Sequence, residues 1–525
     1  MKPISSRTLL ALLLAFSAST VAAADAEPAR CQYTRVARLP LQYTGPALQI
    51  TTEGSIDGTP ARMLVDTGAH ETFLTRTGTE RRGMSLHNTG KVAHGAGGST
   101  WIYETRVSEF SAGPARTHGR GYMQVLNEFG FTPSFDALLG SPFLLQTDLE
   151  ISLATKEITF FRPKNCKDSY LGYWNENVLS IPFERPANSG FTDQGLNPHF
   201  TVQVNGQKMR AMIDTGAQVS LVSLAAARRA GFTPDAPGVT AAGNFTGVGE
   251  RKQRRWLWVF KNFQIGEESI GNADLSVTGD DRMSVDVILG ADFLRAHRVL
   301  FAMSQDKLYF SYIGGEPFGQ HRKLEPWIQA EADGGNADAQ MALAAAYQNG
   351  EGVTRDEAAA DRWLDKAAAG GSPQAILLSA RKTMLAGDFA AAAPRLRAGL
   401  DKLPSDRQAA LWLYLARVRS GEPELAKAEL NAAFARGSRD EWPTPLADFY
   451  LGKLTADKLL RAAADDRAQG TLRSCHALAA MREWQLAHGQ QEASAALATR
   501  AAALCATGSA AGIWRSGQFI PADGG

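Results

Sequence analysis

The sequence predicts a multidomain protein: an all-β part built as a pair of barrel-like lobes, followed by an all-α array of helical repeats. Three observations predict it. Residues about 40–163 and about 178–313 alternate apolar and polar residues and are rich in Gly and Thr, the texture of strands joined by turns. These two stretches repeat one plan. From about residue 324 the chain becomes Ala- and Leu-rich with helical spacing, as in Ala358-Ala359-Ala360-Asp361-Arg362-Trp363-Leu364. The length of 525 residues fits about three domains at roughly 150 residues each.

In chain order, residues 1–24 read as a secretory signal. Lys2 and Arg7 give the basic start, Leu9 to Phe16 the short apolar run, and Ala22-Ala23-Ala24 a small-residue cleavage site. No stretch reaches the ~20 apolar residues that a membrane helix needs, so no stable membrane insertion is expected. The form of the leader points to a bacterial protein released into the periplasm, where disulfides persist. The four cysteines allow three pairings. Keeping each pair within one domain gives Cys31 with Cys166 and Cys475 with Cys505. Their spacing has no CxxC or Cys/His pattern for zinc, and neither a metal nor a cofactor is expected. With 55 Lys and Arg against 54 Asp and Glu, the net charge of +1 gives no case for nucleic acid as a partner. Nine histidines without a partner pattern give none for a Ser-His-Asp site.

The repeated plan centres on Asp-Thr-Gly-Ala. Met63-Leu64-Val65-Asp66-Thr67-Gly68-Ala69 matches Ala211-Met212-Ile213-Asp214-Thr215-Gly216-Ala217. Eight residues before each Asp lies a turn glycine, Gly58 in Asp-Gly and Gly206 in Asn-Gly, both strong hairpin signals. Seventeen residues after each Asp lies another, Gly83 and Gly231, placed to follow a helix end. Gly140 in Leu138-Leu139-Gly140 matches Gly290 in Ile288-Leu289-Gly290, 74 and 76 residues after the respective Asp. A lone Asp-Thr-Gly is expected by chance in roughly one such chain in ten. Two copies sharing glycine offsets are not a chance turn.

This arrangement resembles the aspartic peptidases, and in particular the bacterial retropepsin-like group, with both half-sites on one chain. The likeness spans residues about 40–313. It implies that Asp66 and Asp214 form a catalytic pair which shares a proton, because like charges about 3 Å apart cannot both ionise. It implies that Thr67 and Thr215 hold the loops together across the lobes, and that Gly68 and Gly216 let the backbone approach the carboxylates. Ala69 and Ala217 stand where pepsin-like enzymes carry Ser or Thr. The missing hydroxyl implies a less acidic working range. Gly140 and Gly290 are expected under the loops, where a side chain would clash. The stretch from Val92 to Thr100, with Gly95, Gly97 and Gly98, resembles a flap over substrate. Its counterpart runs from Gly247 to Trp256 and includes Gly249. Arg251, Lys252, Arg254 and Arg255 on it read as a solvated hairpin tip rather than a clamp for acidic substrates. His70 and Gln218, which differ between the copies, read as local packing.

The helical part repeats with period 36: Trp327 with Trp363, Gly334-Gly335 with Gly370-Gly371, Ala339 with Ala375. It resembles tetratricopeptide repeats, whose stacks present a surface to peptides or protein partners. The expected divisions are a first peptidase lobe over 31–166, a second over 178–313, a linker over 314–323 and the repeat domain over 324–525. The expected function is endopeptidase action on a peptide or protein substrate, with the repeats recruiting substrate or a partner. The alternative is a non-catalytic peptide-binding or assembly scaffold of the cell envelope.

Overall fold

The computed structural model describes residues 30–505 except 128, 130–132, 187–196, 246, 250–252, 280–282, 319–322, 405, 436–441 and 466–469. The expected signal at 1–24 therefore lies outside the described residues, as do Arg251, Lys252 and part of the expected linker.

The first strand is β1 (Gln32–Pro40). An eight-stranded sheet follows from β2 (Gln42–Thr44), β3 (Gln49–Ile56), β4 (Thr59–Val65), β5 (Phe73–Thr75), β6 (His87–Gly95), β7 (Gly98–Ala112), β8 (Ala115–Leu126) and β9 (Ala137–Leu139), in the order β2-β3-β4-β9-β5-β8-β7-β6. After β10 (Asp148–Ser152), β11 (Glu157–Lys164) and β12 (Leu179–Pro182) comes a seven-stranded sheet. It is made of β13 (Phe200–Val204), β14 (Gln207–Ile213), β15 (Leu221–Ser223), β16 (Thr240–Phe245), β17 (Gln253–Ile265), β18 (Glu268–Thr278) and β19 (Val287–Leu289), in the order β13-β14-β19-β15-β18-β17-β16. Strand for strand, its order repeats that of β3 to β9. The strands flanking the two copies, with β20 (His297–Ala302) and β21 (Lys307–Tyr312), join in a third sheet ordered β1-β11-β10-β20-β21-β12. It links the copies through Leu149 opposite Phe301 and Ile151 opposite Val299.

The local chemistry repeats as well. The turns after β3 and β13 place Asp57-Gly58 and Asn205-Gly206 at positive φ (49° and 74°, 47° and 77°), as a two-residue hairpin requires. Short helices α1 (Arg76–Arg81) and α3 (Leu224–Arg229) start under Thr75 and Ser223, whose hydroxyls accept from the third residue onward. Gly83 and Gly231 follow in the left-handed region. Two further short helices, α2 (Ser141–Leu144) and α4 (Ala291–Ala296), open just after Gly140 and Gly290.

The rest of the described chain is helical: α5 (Pro326–Asp333), α6 (Ala337–Asn349), α7 (Glu357–Ala369), α8 (Pro373–Leu385), α9 (Phe389–Lys402), α10 (Arg407–Arg419), α11 (Pro423–Phe434), α12 (Thr444–Tyr450), α13 (Ala456–Ala464), α14 (Gly470–Ala487) and α15 (Gln491–Leu504). The period seen in the sequence is structural. Gly335 and Gly371 take positive φ (90° and 88°), and Asn336 and Ser372 cap the next helices, α6 and α8. Leu396, Leu411, Leu446 and Leu459 share a core of their own among the later helices.

The first helices dock on the β part. Ala332, Ala339 and Leu343 join its core, and the Trp327 ring lies 4.7 Å from Tyr43 with the Arg295 guanidinium 4.3 Å over it. Gly45 donates its N–H to Asp338 Oδ2 at 2.8 Å, and Asn336 Nδ2 donates to the Tyr43 carbonyl at 3.1 Å. Disulfides join Cys31 to Cys166, and Cys475 on α14 to Cys505 at the end of α15. Among the described residues no helix is long and apolar enough to cross a membrane.

Candidate active site

Each Asp-Thr-Gly-Ala stands just past a strand whose end is fixed by a parallel neighbour. Val65 pairs with Leu139 and Ile213 with Leu289. The Asp66 and Asp214 N–H groups then donate to the Leu139 and Leu289 carbonyls at 3.1 and 2.9 Å. The following loops are locked in the same way: Ser141 N donates to Ala69 O and Ala291 N to Ala217 O, both at 2.8 Å.

The two loops meet. A Cβ on Gly68 would lie 2.5 Å from Asp214 Cγ, and one on Gly216 2.6 Å from Asp66 Cγ. Each glycine thus backs onto the other copy's carboxyl group. Ala69 N donates to Asp66 Oδ1 at 2.9 Å and Gly216 N to Asp214 Oδ1 at 2.8 Å. Burial, and then the charge of Asp214, hold the Asp66 carboxyl well above the usual carboxylate range. Burial also raises Asp214, against backbone N–H donors that favour its ionised form.

Beneath the pair, Thr67 and Thr215 are fully buried. Thr67 Oγ1 donates to Ile213 O at 2.9 Å and accepts from Thr215 N at 3.1 Å. Thr215 Oγ1 donates to Val65 O at 2.7 Å and accepts from Thr67 N at 3.0 Å. Gly140 and Gly290 press on the loops: a Cβ would come 2.1 Å from Glu71 O at the first and 2.7 Å from the Val219 carbonyl at the second.

The glycine-rich hairpin tips meet each other. Gly97 N donates to Val248 O at 2.8 Å. A Cβ on Gly97 would lie 2.4 Å from Gly249 O, one on Gly249 2.6 Å from Gly97 O, one on Gly95 2.6 Å from Val248 Cβ, and one on Gly247 2.9 Å from Ala96 Cβ. Gly98, at φ 109°, starts the return strand. Of the basic residues on the second hairpin, Arg254 is exposed. Arg255 departs from the solvated reading: it is half-buried and donates twice to the Ala242 carbonyl on its own hairpin, at 3.2 and 3.1 Å.

His70 packs edge-on to Phe73 with ring centroids 5.5 Å apart. Gln218 does more than pack locally. Its side-chain nitrogen donates across to the Ala47 and Leu48 carbonyls of the first copy, at 3.3 and 3.2 Å. Sequence reasoning also missed two acids. Asp136 accepts from Arg62 N at 2.9 Å, and Asp286 from Arg210 N at 3.1 Å, pinning the strands that carry the motifs. Arg82 and Arg229 pair with them at 3.0 and 2.8 Å. A third acid, Asp292, is buried in the second copy. It accepts from Ser220 N and Oγ at 2.9 and 2.6 Å, and burial raises its pKa.

The chain matches the family model described as aspartyl protease over residues 52–143, and the model described as gag-polyprotein putative aspartyl protease over residues 200–296. Among solved structures it is similar to the aspartic proteinase from Irpex lacteus, at 13% identity over 54% of this chain and 98% of that one, with a TM-score of 0.35. It is similar to Basic 7S globulin from soybean, at 12% identity over 54% and 97%, TM-score 0.31. A retropepsin-like aspartic protease from Rickettsia conorii is 20% identical over 26% and 92%, TM-score 0.20. No curated protein matches. With an aspartyl-protease model on each copy of the repeat, the chain is a peptide hydrolase of the aspartic type.

Proposed function

We propose that this chain is an exported aspartic endopeptidase whose two lobes, about 31–166 and 178–313, share one catalytic pair, Asp66 and Asp214. The observation that carries the reading is the reciprocal seat of Gly68 on Asp214 and Gly216 on Asp66. The ionised member of the pair takes a proton from a water as it attacks the peptide carbonyl. The protonated member donates to the carbonyl oxygen. The resulting tetrahedral centre then expels the amine, which leaves with a proton returned by the pair. Neither role belongs permanently to one residue, since the proton is held by both. The hairpin tips close over the bound peptide as flaps.

The helical part, read as a tetratricopeptide-like array over 324–525, recruits substrate or a protein partner. Two disulfides fit an oxidising, extracytoplasmic compartment, the bacterial periplasm on this reading. The test is digestion of a peptide library by the wild type and by Asp214→Asn, each with and without an inhibitor that mimics the tetrahedral state. Cutting by the wild type that the inhibitor blocks and the substitution abolishes is expected. Cutting that persists in Asp214→Asn rejects the pair.

A further inference from the structure

The two hairpin tips are not equivalent. Along β4 the side chains alternate: Met63 and Val65 enter the main core, while Leu64 turns to the opposite face. Two residues further on, just past the end of β4, stands Asp66. Leu64 belongs to a separate buried apolar cluster with Phe73, Ala93, Ile102, Leu126, Phe135 and Leu138. It is covered in part from the second copy, for Val248 packs against it, as Phe129 does from the first. The backbone around Val248 is held like a short strand. Its carbonyl accepts from Gly97 on one side, and Phe129 bridges to Val248 and Gly249 on the other. A side chain at Gly95 would collide with that of Val248, and one at Gly97 or Gly249 with the backbone of the facing tip.

Among the described residues no second cluster with a tip residue of the first copy packed on it mirrors this one. Ala96 stands in the first tip where Val248 stands in the second, and it offers one methyl group. Met212 and Ile288, which match Leu64 and Leu138 by position, remain half-buried.

Resting on the peptide-hydrolase reading, we infer that Gly247-Val248-Gly249 is a built-in pseudo-substrate: Val248 covers the apolar cluster around Leu64, two residues before Asp66, and an apolar substrate side chain reaches that cluster only after Val248 withdraws. An extended segment hydrogen-bonded along its backbone, with one side chain in a pocket, is how a peptide strand binds. The free enzyme is then mostly latched, and apparent affinity is lowered by the unlatched fraction.

The test compares the full chain with Val248→Ser, using a peptide library that carries Val, Leu, Phe, Ser or Gly at each position. Removing the apolar branches should weaken the latch. The kcat/KM for peptides with an apolar residue at the selected position should rise about five- to tenfold, as expected for losing most of one buried valine. The gain should lie in KM, vanish for Ser and Gly peptides, and accompany faster hydrogen exchange at the Gly97 amide. A folded Val248→Ser with faster Gly97 exchange but no gain for apolar peptides overturns the inference. If Val248→Ser does not fold, Val248→Ala is measured in the same way, with a gain of about half that size in free energy. If neither protein cuts any peptide, the hydrolase reading fails, and binding of the same uncut library decides the latch. Tighter binding of apolar peptides by the variant sustains it, and equal binding overturns it.

Discussion

Thr67 and Thr215 each donate a hydroxyl proton to the other copy's strand and accept the other's backbone N–H, so four hydrogen bonds tie the two acid-bearing loops in a fully buried layer. Thr67→Val keeps the shape but orphans Thr215 N–H, while the Ile213 carbonyl keeps Asn197 Nδ2 as a donor at 2.8 Å. At ~1–3 kcal/mol for an unsatisfied buried group, the loss of stability should be about 1–3 kcal/mol. Activity should fall as well, because a shift of the acids by even ~1 Å can reduce the rate about a hundredfold. Thr67→Ser restores the hydroxyl and should recover most of both. Urea unfolding and kcat, measured on the three proteins together, check this.

Gly140 and Gly290 have ordinary negative φ, −81° and −95°, so only space forbids a side chain there. Gly58 and Gly206 are the reverse case, with positive φ and nothing within 4 Å of an added Cβ. Gly140→Ala must push the Glu71 carbonyl and the loop after Asp66. It should destabilise by roughly 3 kcal/mol, the upper end for overpacking, and depress kcat. Gly290→Ala should do so less. Gly58→Ala should cost about 1–2 kcal/mol of backbone strain and leave kcat unchanged. Equal kcat in Gly140→Ala and Gly58→Ala would contradict the placement of Gly140 under the loop.

Both acids of the pair have raised pKa values, with burial as the first cause. The native state therefore binds a proton more tightly than the unfolded chain. That stabilisation is fully present below the ordinary carboxylate range, near pH ~4, and is lost as pH rises through the raised native values. Asp66→Asn removes the penalty. It should abolish cutting yet raise the melting temperature at neutral pH, with the gain shrinking to nothing as pH falls below ~4. In the wild type, cutting should peak above pH ~3 and fade on the alkaline side as the pair loses its last proton. Ala69→Ser adds a donor to the Asp66 carboxylate and should move the peak to lower pH. A peak below pH ~3, or a shift upward, contradicts this account.

The duplication was legible because its constraints are local. Asp57-Gly58 and Asn205-Gly206 must turn, and Asp-Thr-Gly-Ala must follow a buried strand, whatever the rest of the chain does. The acids Asp136 and Asp286 were equally within reach. Each stands four residues before the glycines 140 and 290, so the shared motif begins one residue earlier, at Asp, than at the apolar run. Their partners, Arg62 N and Arg210 N, lie four residues before Asp66 and Asp214, a pairing visible only once β9 and β19 lie beside β4 and β14. The third sheet was not legible. Its pairing of Ile151 with Val299 joins residues 148 apart, and apolar alternation fixes a strand's face but not its neighbour. The reach of Gln218 was hidden for the same reason: a polar residue beside a motif carries no mark of the distant carbonyls it will find.

Gln218 and the helical part grip the same turn from two sides. Gln218 holds the Ala47 and Leu48 carbonyls, while Asp338 and Asn336 hold Gly45 N and Tyr43 O. Leu48 itself sits at φ 49°, a strained value for a leucine, so the turn keeps its shape only because its surroundings hold it. Releasing either grip should let the other slacken. Asp338→Ala and Gln218→Leu should each lower stability by about 1 kcal/mol, the size of one net hydrogen bond. Their double mutant should fall short of the sum by at least ~0.5 kcal/mol, as for residues that share a partner. The same non-additivity should show in kcat, because Gln218 follows the Asp214 loop directly. Additivity within ~0.3 kcal/mol in both readouts would mean that the turn transmits nothing between the helices and the acid pair.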